Sequence, residues 1–196
     1  KTCYPMLTLQ NTKASQQRTG NWGNVMQLRP YQQDAVDSAI AWMRKSTEPA
    51  LLGLSTGAGK SHIAAAIALW ITQKTGKKVL VLQPSKELTS QNFEKYLATG
   101  EKASIFSASA NSKCTRHNVV YATPKTVLNS ISRFGDAFAC VIVDECHMTT
   151  PTIKQIIAHI AAKNPMLRVI GMTATPYRMG TGYIYQYDAT GERISK

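Results

Sequence analysis

From Leu28 onward the apolar residues follow two alternating rhythms. One is the short continuous run: "ALLGLS" (50–55), "KVLVLQ" (78–83), "ASIFS" (103–107), "VVYA" (119–122), "ACVIVDE" (139–145) and "LRVIGMTA" (167–174). Such runs, bounded by Gly, Pro or polar residues, predict strands buried on both sides. The other rhythm has a helical period. Residues 31–44 place Ala35, Val36, Ala39, Ile40 and Met43 on one face, and segments 86–98, 124–132 and 153–162 repeat the pattern. Residues 63–72 are almost wholly apolar and predict a helix buried all round.

Strands alternating with helices, and apolar without period-two polar positions, predict an α/β domain: a mostly parallel sheet with helices on both faces. Ligands of such sheets bind beyond the carboxyl ends of the strands. Chemistry is therefore expected just after Ser55, Gln83, Ala122, Val143 and Met172.

Before Leu28 the chain is polar, rich in Gln, Asn, Thr and Ser, and without a period. Residues 1–26 read as a flexible extension outside the domain, with Met26 as an expected native start. The domain itself is expected over 27–178, and 179–196 read as a tail leading toward further sequence. The 196 residues, 43% hydrophobic, suit one well-packed domain. Lys plus Arg number 23 against 11 Asp plus Glu, a formal charge of +12, which favours a polyanionic partner. No apolar run reaches the roughly 20 residues of a membrane helix, so no membrane is expected. Cys3, Cys114, Cys140 and Cys146 form no C-x-x-C pair, and Cys114 with His117 lacks a second pair to complete a metal site. Reduced thiols in the cytoplasm are the expectation, with Cys140 packed in a core strand.

The segment "LSTGAGKS" (54–61) lies between a strand and a helix, the context a phosphate-binding loop requires. Glycines let the backbone turn so that N–H groups converge on phosphate oxygens. Lys60 would reach the β and γ phosphates, and the Ser61 hydroxyl would ligate Mg²⁺. The eight-residue form of the pattern requires glycine at Leu54, and Gly53 is one residue early. What remains is the shorter "STGAGKS".

"CVIVDECH" puts Asp144 and Glu145 at the end of the most apolar strand. Asp144 suits an Mg²⁺ that bridges phosphates, and Glu145 suits the orientation or deprotonation of water. Adjacent strand residues point to opposite faces, so both can reach one site only where the pleat ends.

Asp144-Glu145-Cys146-His147 resembles the DExH signature of superfamily 2 helicases. "LRPYQQDAV" (28–36), "STGAGKS", "VLQPSKELTSQN" (81–92), "YATPKTV" (121–127) and "GMTATPYR" (171–178) resemble the ordered motifs of the first RecA-like, P-loop NTPase lobe of that superfamily. The wider pattern, with "GTGYIYQY" in the tail, is most similar to the RadD-like DNA-repair ATPases.

The resemblance implies ATP and Mg²⁺ as cofactors and DNA, single-stranded or branched, or RNA, as partner. Thr56, Gly57, Ala58, Gly59, Lys60 and Ser61 would bind nucleotide, and Lys60 and Glu145 would be catalytic. Ser61 and Asp144 would hold the metal. Arg29 and Gln32 would recognise adenine, with Gln33 as the alternative amide. Pro84, Ser85 and Lys86, and Thr123, Pro124 and Lys125, would meet the nucleic-acid backbone; Ser85 serves equally as a helix N-cap. His147 with Thr173, Ala174 and Thr175 would link nucleotide state to nucleic-acid grip.

Arg178 is not expected to act as an arginine finger, because the family takes its finger from a second RecA-like lobe, absent from this chain. A finger contributes about 10³–10⁵ in rate, so this lobe alone is expected to hydrolyse ATP weakly or not at all. A small-molecule kinase would need an arginine-bearing lid and an acceptor site, and neither is evident. The motor subunit of a restriction endonuclease, and a nucleotide-dependent DNA-binding switch without unwinding, stay open as alternatives. Tyr183, Tyr185 and Tyr187 alternate as in an edge strand.

Overall fold

The structure, a computed structural model, describes residues 6–7, 27–178 and 182–183. In chain order the strands are β1 (Met6–Leu7), β2 (Ala50–Gly53), β3 (Lys78–Leu82), β4 (Ala103–Ser107), β5 (Ser112–Lys113), β6 (Val119–Ala122), β7 (Phe138–Asp144), β8 (Arg168–Thr173), β9 (Tyr177–Arg178) and β10 (Gly182–Tyr183). The helices are α1 (Pro30–Lys45), α2 (Lys60–Thr75), α3 (Lys86–Leu97), α4 (Pro124–Leu128) and α5 (Pro151–Lys163). Eight strands form one sheet in the order β1-β2-β8-β7-β3-β6-β4-β5, parallel except for the β4–β5 pair.

The pleat sorts each strand's apolar run between two cores. Leu52, Val79, Val81, Tyr121, Cys140, Ile142 and Ile170 pack on one face beneath α1, α2 and α3. Leu51, Leu80, Leu82, Val120, Val141 and Val143 pack on the other, beneath α4 and α5. Both faces are thus dry, which is why the strands carry no polar alternation. Helix α2 is buried from Ile63 to Leu69, and its alanines let it lie close against the sheet between its neighbours.

The strands begin and end within a residue or two of the sequence expectation, but helix α4 is shorter. It stops at Leu128, and a 3₁₀ turn over Ile131–Arg133 follows. Phe134 is the reason: the chain turns it inward, fully buried, to pack edge-on against Phe106 and beside Phe138. Residues 1–26 are not wholly outside the fold, because Met6–Leu7 adds an edge strand in register with Leu51–Leu52. The two-residue β5, which carries no apolar signal, was also not expected. Tyr183 lies in an antiparallel pair with β9 rather than on the main sheet. Tyr185, Tyr187 and the proposed start at Met26 fall outside the described residues.

Candidate active site

The loop between β2 and α2 is shaped by two left-handed glycines. Gly57 has φ +80° and Gly59, which caps α2, has φ +76°. No side chain caps α2, so its first N–H groups remain available to an anion at the positive end of the helix dipole. A cleft of about 470 Å³ opens beside the loop, lined by Tyr31 and residues 53–58.

Asp144 ends β7 and is buried, with 8% of its surface exposed. The next residue resolves the opposite-face problem. Glu145 takes φ +48°, ψ +48°, a left-handed conformation that costs a non-glycine residue about 1–2 kcal/mol. The turn is held by the Glu145 N–H donating to Asp144 Oδ1 at 3.0 Å. It sets Glu145 Oε1 2.9 Å from Lys60 Nζ and Oε2 3.3 Å from His147 Nδ1. Burial pushes the Asp144 carboxyl above the usual range and the Glu145 charge pushes it further. The Glu145 N–H, Lys60 and the Gln83 side-chain amide oppose the rise.

His147 Nδ1 lies 2.7 Å from Thr173 Oγ1, which in turn receives the Thr175 N–H at 3.0 Å. Two separate segments thus meet at one point: His147 Nδ1 contacts both Glu145 Oε2 and Thr173 Oγ1, and Thr173 Oγ1 lies 3.5 Å from Glu145 Oε2 at the turn after β8. Ala174 sits between its two threonines there.

Gln32 lies beside the phosphate loop. Its Nε2 donates to Ala58 O at 2.9 Å and its Oε1 accepts from Arg29 N at 2.9 Å, so the amide braces the phosphate loop against the start of α1. Gln33 donates to Asp37. Arg29 is exposed at the N-cap of α1. Thr56 lines the cleft, Lys60 is the first residue of α2 and Ser61 the second.

The loops after β3 and β6 lie side by side because those strands pair. Ser85 Oγ accepts from Leu88 N at 3.2 Å, so the N-cap role holds. Lys86 and Lys125 are exposed, Pro84 is exposed beside Ser85, and Pro124 opens α4. Thr123 Oγ1 lies 2.8 Å from Thr126 Oγ1.

Two further residues belong to the site: Tyr31, which escaped the sequence reading, and Gln83, expected only as the end of a strand run. Tyr31 walls the cleft and donates to Ala58 O at 3.2 Å. Gln83, the polar residue ending an apolar strand run, sits level with Asp144 and helps hold the pKa of its carboxyl down. Its Oε1 is buried and finds no partner among the described residues. The available donors are hard oxygens, the Asp144 carboxylate and the Ser61 hydroxyl, with a buried acceptor beside them. That set fits a hydrated magnesium ion and not a soft metal.

Among the described residues no helix is long and apolar enough to cross a membrane. A family model described as "Type III restriction enzyme, res subunit" matches residues 25–178. The chain is 27% identical to ATP-dependent DNA helicase fml1 of Schizosaccharomyces pombe over 164 residues, 76% of this chain and 19% of that protein. It is 29% identical to ATP-dependent DNA helicase uvsW of Enterobacteria phage T4, covering 80% of this chain and 31% of the relative. The chain thus spans about a fifth to a third of the length of these relatives. The crystal structure of the Pyrococcus furiosus Hef helicase domain superposes with TM-score 0.63 at 26% identity, over 78% of this chain and 34% of that one. UvsW from bacteriophage T4 superposes equally well at 24% identity, over 77% and 54%. Matched over 25–178 by that model, with phosphate loop and DECH turn in contact, the chain belongs to the type III restriction enzyme res-subunit family of superfamily 2 helicases, of which it carries the first RecA-like lobe.

Proposed function

We propose that this chain is the motor lobe of an ATP-dependent DNA helicase or translocase, RadD-like and acting in DNA repair, that binds ATP with Mg²⁺ and grips the nucleic-acid backbone. The observation that carries the reading is the 2.9 Å contact between Lys60 and Glu145, with Asp144 beside them. It joins the loop that would hold phosphate to the carboxylates that would act on water.

ATP would place its phosphates against the loop N–H groups and the start of α2, drawing Lys60 from Glu145 toward the γ-phosphate. Asp144 and Ser61 would hold Mg²⁺, which neutralises charge on the β and γ phosphate oxygens. Glu145, released from the lysine, would accept a proton from water as its oxygen bonds to the γ-phosphorus. The bond from that phosphorus to the bridging oxygen breaks, and ADP leaves. His147 and Thr173 would report the change at Glu145 to the turn after β8, next to the nucleic-acid loops.

Lys86 and Lys125, exposed in the first turns of α3 and α4 after adjacent strands, support a contact with phosphates rather than bases, and with it salt-dependent, weakly sequence-selective binding. Full turnover would require the second RecA-like lobe with its arginine finger. The described cysteines are free thiols, which supports a reducing compartment, the cytoplasm.

The test is ATP turnover by the full-length protein with single-stranded, forked and duplex DNA. Wild type should be stimulated by DNA, Lys60→Ala should lose nucleotide, and Glu145→Gln should keep nucleotide but not hydrolyse it. Wild-type turnover in either variant refutes the reading. The description of the matching family favours a second reading, a restriction-endonuclease motor subunit. A nuclease motif in the complete gene would select it.

A further inference from the structure

Gln83 follows the last residue of β3, which is central to the site. One position earlier, Leu82 pairs with Val143 on one side and with Ala122 on the other. Gln83 therefore lies level with Asp144 of β7 and with Thr123, the first residue of the Thr123–Lys125 loop. Its backbone N–H donates to Ala122 O at 3.0 Å, fixing the strand end. The next residues in the chain are Pro84, Ser85 and Lys86.

The side chain is 2% exposed. A buried amide needs partners for both ends, and one left without costs stability. Here the donor end faces the Asp144 carboxylate, level with it across β3 and β7, and helps hold its pKa down. The Oε1 end is buried and has no donor among the described residues. A packing role explains neither choice: an apolar residue of the same length would fill the space without desolvating an acceptor. Burial of an acceptor beside a metal-holding carboxylate is accounted for by a ligand that brings its own donors, and the water shell of a divalent ion does so.

We propose that Gln83 is a positioning residue for the divalent ion: its N–H orients Asp144, its Oε1 accepts from ion-bound water, and its strand end carries that state to the adjoining nucleic-acid loops. The inference rests on the nucleotide–Mg²⁺ reading of the same site. One side chain then spans the metal carboxylate and the start of the Pro84–Lys86 loop, a shorter route than the His147–Thr173 chain on the far side of β7.

The experiment uses the full-length protein and a fluorescent N-methylanthraniloyl-ADP, titrated first in EDTA and then with Mg²⁺. Gln83→Met keeps length and removes both polar ends; Gln83→Thr suits a strand should the first variant fold poorly, and thermal melting checks each. The expected result is ADP affinity in EDTA within about twofold of wild type. The Mg²⁺ concentration at half-effect should rise about tenfold, the low end of what a partner of a metal-ligating carboxylate contributes. The gain in single-stranded DNA affinity produced by Mg²⁺–nucleotide should shrink in parallel. A Mg²⁺ midpoint within twofold of wild type in a folded variant overturns the proposal, provided Lys60→Ala loses the ADP signal with and without metal. If Lys60→Ala binds like wild type, the phosphate-site reading itself falls, and the two failures are told apart.

Discussion

Gly59→Ala separates two reasons for a glycine in the phosphate loop. Gly57 and Gly59 both sit at strongly positive φ, +80° and +76°. Alanine at either costs about 1–2 kcal/mol for the left-handed conformation. A Cβ on Gly57 meets nothing within 4 Å, whereas one on Gly59 runs into the Gln32 amide nitrogen. Gln32 is 7% exposed and cannot step aside without giving up its bond to Ala58 O. Leaving those buried groups unpaired adds about 1–3 kcal/mol. Gly57→Ala should therefore cost about 1–2 kcal/mol and Gly59→Ala about 2–5 kcal/mol. For a chain of this length that means melting-temperature losses of roughly 2–8 °C and 4–20 °C.

Urea unfolding of the two variants, of Gln32→Ala and of the double variant Gln32→Ala/Gly59→Ala supplies the decisive comparison. With the amide gone the clash disappears, so Gly59→Ala should cost only its conformational part in that background. The cycle should show coupling of about 1–3 kcal/mol between Gln32 and Gly59, which meet beside Ala58. Equal costs at the two glycines, or an additive cycle, would refute the claim that Gln32 braces the loop. Nucleotide affinity should fall more for Gly59→Ala, because the displaced amide frees the Ala58 carbonyl next to the phosphate cradle.

Three further outcomes follow from the same geometry. Thr173→Val keeps the shape but removes the hydroxyl 2.7 Å from His147, so ADP affinity should stay within about threefold while DNA-stimulated turnover of the full-length protein falls about tenfold, one lost hydrogen bond; unchanged stimulation would exclude the coupling role. Asp144 has a folded-state pKa above its ordinary 3.8, chiefly from burial, so between the two values the folded chain keeps a proton that the unfolded chain has released, and stability falls as pH rises through that window. Asp144→Asn should accordingly raise the melting temperature near pH 7, with the gain shrinking as pH falls toward 3.8; a variant no more stable than wild type at pH 7 would contradict it. Cys114 is held below the usual thiol range, first by the Ser104 hydroxyl and then by the Arg116 N–H, while burial pushes Cys140 up to about 12. Alkylation followed by peptide mass spectrometry should label Cys114 more than tenfold faster than Cys140 at pH 8, and comparable rates would show that the β7 core opens.

The parts of this molecule legible from sequence are those whose causes are local. A strand buried on both faces must be apolar throughout, and so Val119–Ala122 and Ala103–Ser107 could be bounded to the residue. A phosphate loop must have its glycines, lysine and serine in order between strand and helix, so its position was readable without the fold. What escaped was decided by partners far away in the chain. Ser112–Lys113 is a strand only because β4 offers it an edge, and Met6–Leu7 only because β2 does. Gln32 reads as an adenine-binding amide from its own segment, and its bond to Ala58, brought next to it by the packing of α1 on α2, is a contact which that segment does not announce. Glu145 makes the same point from the other side. Nothing in "VDECH" announces a left-handed residue, and local energetics oppose it by about 1–2 kcal/mol. The conformation stands because four residues from three segments meet it: Asp144 receives its N–H, Lys60 and His147 take its two carboxylate oxygens, and Thr173 lies 3.5 Å from one of them. Three of those contacts act on the carboxylate itself, so whatever draws Lys60 away also loosens the hold on the strained turn. The cost of the backbone and the position of the Glu145 carboxylate are thereby one variable, and a phosphate that competes for the lysine acts on both.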